Sequence, residues 1–405
     1  MLISYRSICN FMFILWMLSE LLFPYTVLSR IMVFAFCGVV FACTMLKKFS
    51  FPFCSYVYSY IFFTVYAFIL IRLGLSINPS VSLTMVKTLC INILFLICLI
   101  SYFKYLNDFD EILKIFRIAL TIFVFISFFG GIGSVLAGGR LAVFRAETNT
   151  VADMAAYLCI ILLYEILIRR KKSINTKVIL LVSVLLMIMT GTRSALVILF
   201  IGTYVLYCFQ KPRQFVYRSL LILCVLMLGI YALMNISTLY NLIGYRIETI
   251  LIFLKGQEIT ENSFNTRNLY TTLAYSYFIE KPLTGYGLDT FKTLKGSYGV
   301  YSHSNYMELL FSLGIPGLVL YYSSFVFLIK NVIKTYSIYK NKSILVLALV
   351  IPFLVCEYIG ITYYSRVFLS IICLAFTIFH FCIIESKSND YKANNTNLER
   401  TGEIR

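Results

Sequence analysis

Residues 178–209 read VILLVSVLLMIMT-GTRS-ALVILFIGTYVLYCF and contain a single charged side chain, Arg193. Two apolar runs, 178–192 and 194–209, meet there with almost no loop between them, which predicts a tight helical hairpin. A lipid-spanning helix needs roughly 20 mainly apolar residues. Ten further runs of that kind lie on either side: 4–23, 25–46, 51–73, 83–103, 112–136, 151–168, 219–238, 305–329, 344–363 and 366–384. The last two have almost no loop between them and read as a second hairpin. Across all 405 residues, 60% are hydrophobic and 13% charged, and the mean hydropathy is +0.87. A water-soluble domain is nearer 45–50% apolar and about 25% charged, so these proportions exclude an ordinary soluble domain, a disordered chain and a small disulfide scaffold. The expectation is an all-α, polytopic membrane bundle of about twelve transmembrane helices.

The net charge is +17, from 35 Lys and Arg against 18 Asp and Glu. In a soluble protein this excess would suggest nucleic acid. Here it collects in alternate loops: Lys47-Lys48, Lys104, Arg169 to Lys172 with Lys177, Lys211/Arg213/Arg218, and Lys330/Lys334/Lys340/Lys342. The loop 74–82 and the turn around Pro24 have none. The positive-inside rule then gives a multi-pass protein with both termini cytoplasmic, and no nucleic-acid partner. The twelve cysteines lie in or beside apolar runs without CxxC spacing, so neither a zinc site nor a disulfide framework is indicated.

One stretch between spans is large, 239–302, and falls on the extracytoplasmic side. Helical spacing of apolar groups within it predicts short interfacial helices over 242–254 and 267–280, the second capped by Asn265 or Thr266 and closed by Pro282. Such helices would form a lid over the bundle. The organisation expected is N-terminal helices over 1–136, a transmembrane core over 137–384 including that loop, and a disordered cytoplasmic tail over 385–405.

Charge at membrane depth is costly and marks function by default. Three places on the extracytoplasmic side stand out. Arg193 sits in its hairpin either as a snorkelling cap or as a guanidinium gripping an anionic headgroup. Arg140 and Arg145 lie outside against the charge trend, either in a solvated loop self-paired through Arg145–Glu147 or facing substrate. Asn149 or Thr150 would cap the helix that follows. The third runs from Arg267 through Pro282-Leu283-Thr284-Gly285-Tyr286-Gly287 to His303-Ser304-Asn305. Gly285 and Gly287 predict a tight turn with positive φ, while Gly314, Pro316 and Gly317 predict a break or close packing inside a span. Tyr286 and other loop tyrosines offer rings for sugar stacking, although interfacial anchoring explains most of them.

His303-Ser304, nine residues, then Gly314 and Gly317 reproduce the pattern H-[NSQ]-x9-G-x-x-G. Together with Arg267, the 282–287 segment and the 191–194 hairpin, this resembles the bacterial O-antigen polymerase/ligase family over roughly 140–330. The resemblance implies an inner-membrane glycosyltransferase acting at the periplasmic face on undecaprenyl-diphosphate-linked oligosaccharide, without a metal or other cofactor. It implies that the family's essential groups fall on Arg193, Arg267 and His303. Substrate-binding candidates are Arg145, Arg140, Arg246, Asn149 and Tyr286. A polymerase joining lipid-linked repeat units is the leading expectation, with a chain-length regulator and a flippase as partners. A ligase delivering the glycan to lipid A–core and a lipid-linked glycan transporter are the alternatives.

Overall fold

The computed structural model describes residues 5–45, 54–137, 141–171, 173–237 and 262–381, with residues 139, 240, 244, 245, 248, 249 and 252. The described residues form thirteen α-helices and no strand. In order they are α1 (Tyr5–Leu22), α2 (Val27–Met45), α3 (Ser55–Arg72), α4 (Pro79–Leu106), α5 (Phe109–Leu136), α6 (Thr148–Leu167) and α7 (Ile174–Thr190). These are followed by α8 (Arg193–Gln210), α9 (Phe215–Asn235), α10 (Asn262–Glu280), α11 (Asn305–Thr335), α12 (Lys340–Cys356) and α13 (Arg366–Phe381). Each apolar run read from the sequence falls on one of these helices. Seven of them, α3, α4, α5, α6, α8, α9 and α11, are long and apolar enough to cross a membrane by length and composition, and α2, α7 and α13 are shorter apolar helices.

Local chemistry sets the helix ends. Asn78 accepts from the Val81 N–H ahead of Pro79, whose missing N–H costs nothing at a first helical turn. Asn107 in the left-handed region and the Asp108 cap turn the chain sharply from α4 into α5. Gly191, at φ 62°, does the same between α7 and α8. The bundle is organised around α6, whose residues 151–162 are all buried and which packs against α5, α7, α8 and α12. A helix apolar on every side belongs in such a centre.

The two ends of the bundle differ. At one, ion pairs join Arg6 to Glu111, Arg117 to Glu165 and Arg169 to Asp110. At the other, which we call the loop end, the turns are tied by backbone hydrogen bonds: Arg145 N–H to Leu22, Leu141 N–H to Met189, Ile77 N–H to Tyr286 and Asn305 N–H to Glu357.

Four expectations change. The second hairpin is not tight, because α12 ends at Cys356 and residues 357–365 form a non-helical turn. The helix expected over 267–280 begins earlier, at Asn262, so Asn265 and Thr266 lie inside it rather than capping it. The helix expected over 151–168 begins at Thr148, with Glu147 at the N-cap position instead of Asn149 or Thr150. Arg145 and Glu147 do not pair, and Glu147 accepts from the Thr150 hydroxyl instead. The 242–254 helix falls mostly outside the described residues, and the 385–405 tail wholly so.

Candidate active site

The 281–304 segment is attached to the bundle through a break in α11. Gly314 adopts φ 66°, ψ −166°, which interrupts the helix two residues before Pro316. The freed groups find partners in the loop. Tyr286 N–H donates to Phe311 O at 2.9 Å, Gly287 N–H to Ser312 O at 2.8 Å, and Ile315 N–H to Pro282 O at 2.8 Å. Irregular backbone at membrane depth is tolerated when protein satisfies it in this way. The contact leaves no room for side chains: a Cβ on Gly285 would stand 2.5 Å from Phe311 O, and one on Gly314 2.4 Å from Pro282 O. Both glycines also have positive φ, as does Gly287. The predicted turn and the predicted break are therefore two sides of one joint.

Above the joint, Tyr270 and Ala274 of α10 pack with Tyr286, Phe291 and Phe311. His303 lies at the edge of this cluster, with positive φ (61°). Its ring stacks on Tyr270 at 5.8 Å and lies 4.6 Å from the Tyr301 ring. The next residues are held firmly. Ser302 donates through N–H and hydroxyl to Glu308, and Ser304 caps α11. Asn305 Oδ1 accepts from the Thr362 and Tyr363 N–H groups, while its amide donates to Glu357 and Tyr322. Glu357, fully buried, also accepts from Tyr321, Tyr322 and Thr362. Burial, and then the nearby Arg267 guanidinium, lower the His303 pKa to about 4, so the imidazole is neutral at pH 7.

Tyr301, whose ring neighbours this histidine, lines a cavity of about 390 Å³. Its walls come from the α1–α2 turn, one face each of α2 and α4, the start of α6, Ser194 at the start of α8, Tyr301, and the 359–368 turn and helix start. Three cations line it, Arg30, Lys87 and Arg366, with three acids, Glu20, Glu147 and Asp153. Arg366 is 2.9 Å from Glu20 and reaches Asn92, and Ser194 donates to Asp153 at 2.6 Å. Among the described residues, no three His, Cys, Asp or Glu side chains gather as a metal site would require.

The sequence-derived residues divide among several positions. His303 and Arg267 come together around Tyr270 and Tyr301, and Tyr301 lines the cavity. Arg193 is half-buried at the first residue of α8, next to cavity-lining Ser194. Asn149 lines the cavity directly. Arg145 is exposed on the segment before α6. Arg140 and Arg246 lie outside the described residues. Tyr286 is not placed to meet a sugar: its hydroxyl donates to Glu280, Phe311 stacks on its ring, and the Lys281 ammonium lies 4.6 Å from the ring centre. Sequence reasoning passed over Glu20, Arg30, Lys87 and Arg366, although each is an ionisable group within or at the edge of an apolar run, and that was the available signal.

No curated protein matches the chain. A family model described as O-Antigen ligase matches residues 178–322, from α7 to the middle of α11, and takes in Arg193, Arg267, His303, the 282–287 turn and the Gly314 break. That segment falls within the 140–330 stretch over which the resemblance was expected, and its match is to the O-antigen polymerase/ligase family.

Proposed function

We propose that this chain transfers a glycan from a polyprenyl diphosphate carrier to an acceptor hydroxyl, and that the loop end faces the periplasm. The observation that carries the reading is the meeting of a neutral imidazole, His303, with Arg267 next to Tyr301, which lines a cavity that also takes in Ser194, the neighbour of Arg193. The acceptor oxygen attacks the anomeric carbon as the bond to the diphosphate oxygen breaks, and the bonding electron pair leaves with the diphosphate. His303 accepts the hydroxyl proton. At a pKa near 4 it is a weak base, suited to hydrogen-bonding the hydroxyl and taking the proton only as the diphosphate departs. Arg193 and Arg267 stabilise the charge that develops on the leaving group. Arg193 has a further advantage, because the start of α8 carries the positive end of the helix dipole. The buried Thr192 hydroxyl at the same helix start has no hydrogen-bond partner among the described residues.

The ion-paired end, with Arg169 and Lys171, belongs to the cytoplasm under the positive-inside rule. The acceptor we favour is a second lipid-linked repeat unit, which makes the protein an O-antigen or surface-polysaccharide polymerase. The description of the matched family, O-Antigen ligase, favours lipid A–core as acceptor instead. Purified protein supplied with a lipid-linked repeat unit, with and without core acceptor, separates the two. A ladder of repeat units formed without core supports the polymerase, and a single product that requires core supports the ligase. In either assay His303→Ala and Arg193→Ala should each lower the rate about 100-fold or more. Wild-type rates in both variants would overturn the site.

A further inference from the structure

Ser302 lies in the chain between two neighbouring rings, Tyr301 on the cavity wall and His303, and it is completely buried. Both of its polar hydrogens reach one side chain. The Ser302 N–H donates to Glu308 Oε2 at 3.1 Å, and the Ser302 hydroxyl donates to the same oxygen at 2.8 Å. The hydroxyl also stands 3.1 Å from the Ser304 carbonyl oxygen. Glu308 belongs to the first turn of α11 and is itself buried. Burying a carboxyl group is costly unless hydrogen bonds offset the loss of water. Here those donors belong to the loop, not to the helix that carries the glutamate.

On the other side of His303 the chain is held independently. Ser304 caps α11, and the Asn305 N–H and side chain are fixed by the 357–363 turn. His303 therefore stands between two anchored residues, and its own backbone takes φ 61°. A non-glycine residue is strained there, and such strain persists only where the surroundings over-determine it. We propose that Glu308 is a positioning residue for the transfer: by holding Ser302 it keeps His303 in the left-handed conformation that lays the imidazole against Tyr270 and Tyr301. That the imidazole so placed meets an acceptor hydroxyl rests on the function proposed above; the hold on the turn does not. The charged groups acting on this turn are Arg267 of α10 on His303 and Tyr301, Glu147 on Tyr301, and the paired Asp289 and Lys292 on Glu308.

The chain has two histidines, so the full-length protein, isotope-labelled at histidine and held in detergent, gives two imidazole NMR signals, and His380→Gln identifies the second. Wild-type His303 should titrate near 4. In Glu308→Ala the released turn exposes the imidazole, so its titration should rise by at least about one pH unit. Transfer kcat should fall about 10- to 100-fold, with the donor KM little changed. Glu308→Gln keeps an acceptor oxygen for Ser302 and should restore the wild-type titration and most of the rate. The sign is decisive, because losing a nearby negative charge lowers a histidine pKa, whereas exposure raises this one toward about 6.5. A titration that stays near 4 or falls in Glu308→Ala overturns the proposal, as does a wild-type kcat there, or a Glu308→Gln variant equally impaired. A merely structural role would lower the yield of folded protein and leave the titration of the folded fraction in place. If Glu308→Ala does not fold, Ser302→Ala decides, since it keeps the N–H donor and loses the hydroxyl: a smaller upward shift supports the hold, and an unmoved titration overturns it. A shifted titration in a protein that transfers no glycan refutes the catalytic reading alone. An unshifted one in a protein that needs His303 for transfer refutes the positioning role alone.

Discussion

His303 occupies a backbone region that L-residues seldom adopt, and its imidazole is held between two tyrosine rings. Since burial and Arg267 lower its pKa to about 4, the neutral form persists well below the ordinary value near 6.5. The acid limb of the pH–rate profile assigned to His303 should therefore fall below pH 5. Arg267→Gln removes one of the two lowering causes and should move that limb upward, a shift readable from rates between pH 4 and 7. The same shift affects stability. The unfolded chain binds a proton at this residue below about 6.5 and the folded chain only near 4, so the contribution of His303 to folding is full above 6.5 and is lost as pH falls toward 4. His303 and the two arginines were legible in the sequence because they stand in short polar stretches where any charge is conspicuous. Arg30 and Lys87 were not, because one charge hardly changes the hydropathy of a run of 20 residues. Tyr286 was legible as a ring, but what a ring stacks on is decided by distant segments, here Phe311 and Lys281.

At the scale of elements, the joint between α11 and the 282–287 turn fixes the 281–304 segment that carries His303. Gly314→Ala and Gly285→Ala each place a methyl group against backbone at a positive φ. Each should cost at least about 1–3 kcal/mol, the scale of a strained non-glycine residue, seen as a lower unfolding temperature in detergent. Gly133→Ala, within helical α5 and with nothing within 4 Å of the added carbon, should leave that temperature unchanged or slightly raised. The sequence announced a turn and a helix break separately through their glycines and prolines. That one fills the other is a pairing across roughly 30 residues, which no local pattern contains. α10, the helix expected over 267–280, packs on α11 and the aromatic cluster.

For the whole molecule, the helical bundle followed from composition alone, because lipid allows few alternatives to helices for an apolar chain of this length. The orientation we propose makes single cysteines placed within 262–300 reachable by a membrane-impermeant reagent in intact cells, and those at 171–177 reachable only after lysis; the reverse pattern would overturn it. The bundle is closed by Glu20 and Arg366, on the first and last described helices. Removing one partner from so buried a pair typically costs about 3–5 kcal/mol. Arg366→Met should therefore destabilise the protein strongly, and adding Glu20→Leu should restore much of the loss in thermal unfolding. The pair also bears on biogenesis. The ribosome delivers Glu20 early, and its partner emerges 346 residues later, so α1 waits in the translocon or bilayer with a carboxyl that has no counter-ion. Nascent chains stalled before α13 should accordingly be exposed to membrane proteases, and completion of synthesis is the event that protects them.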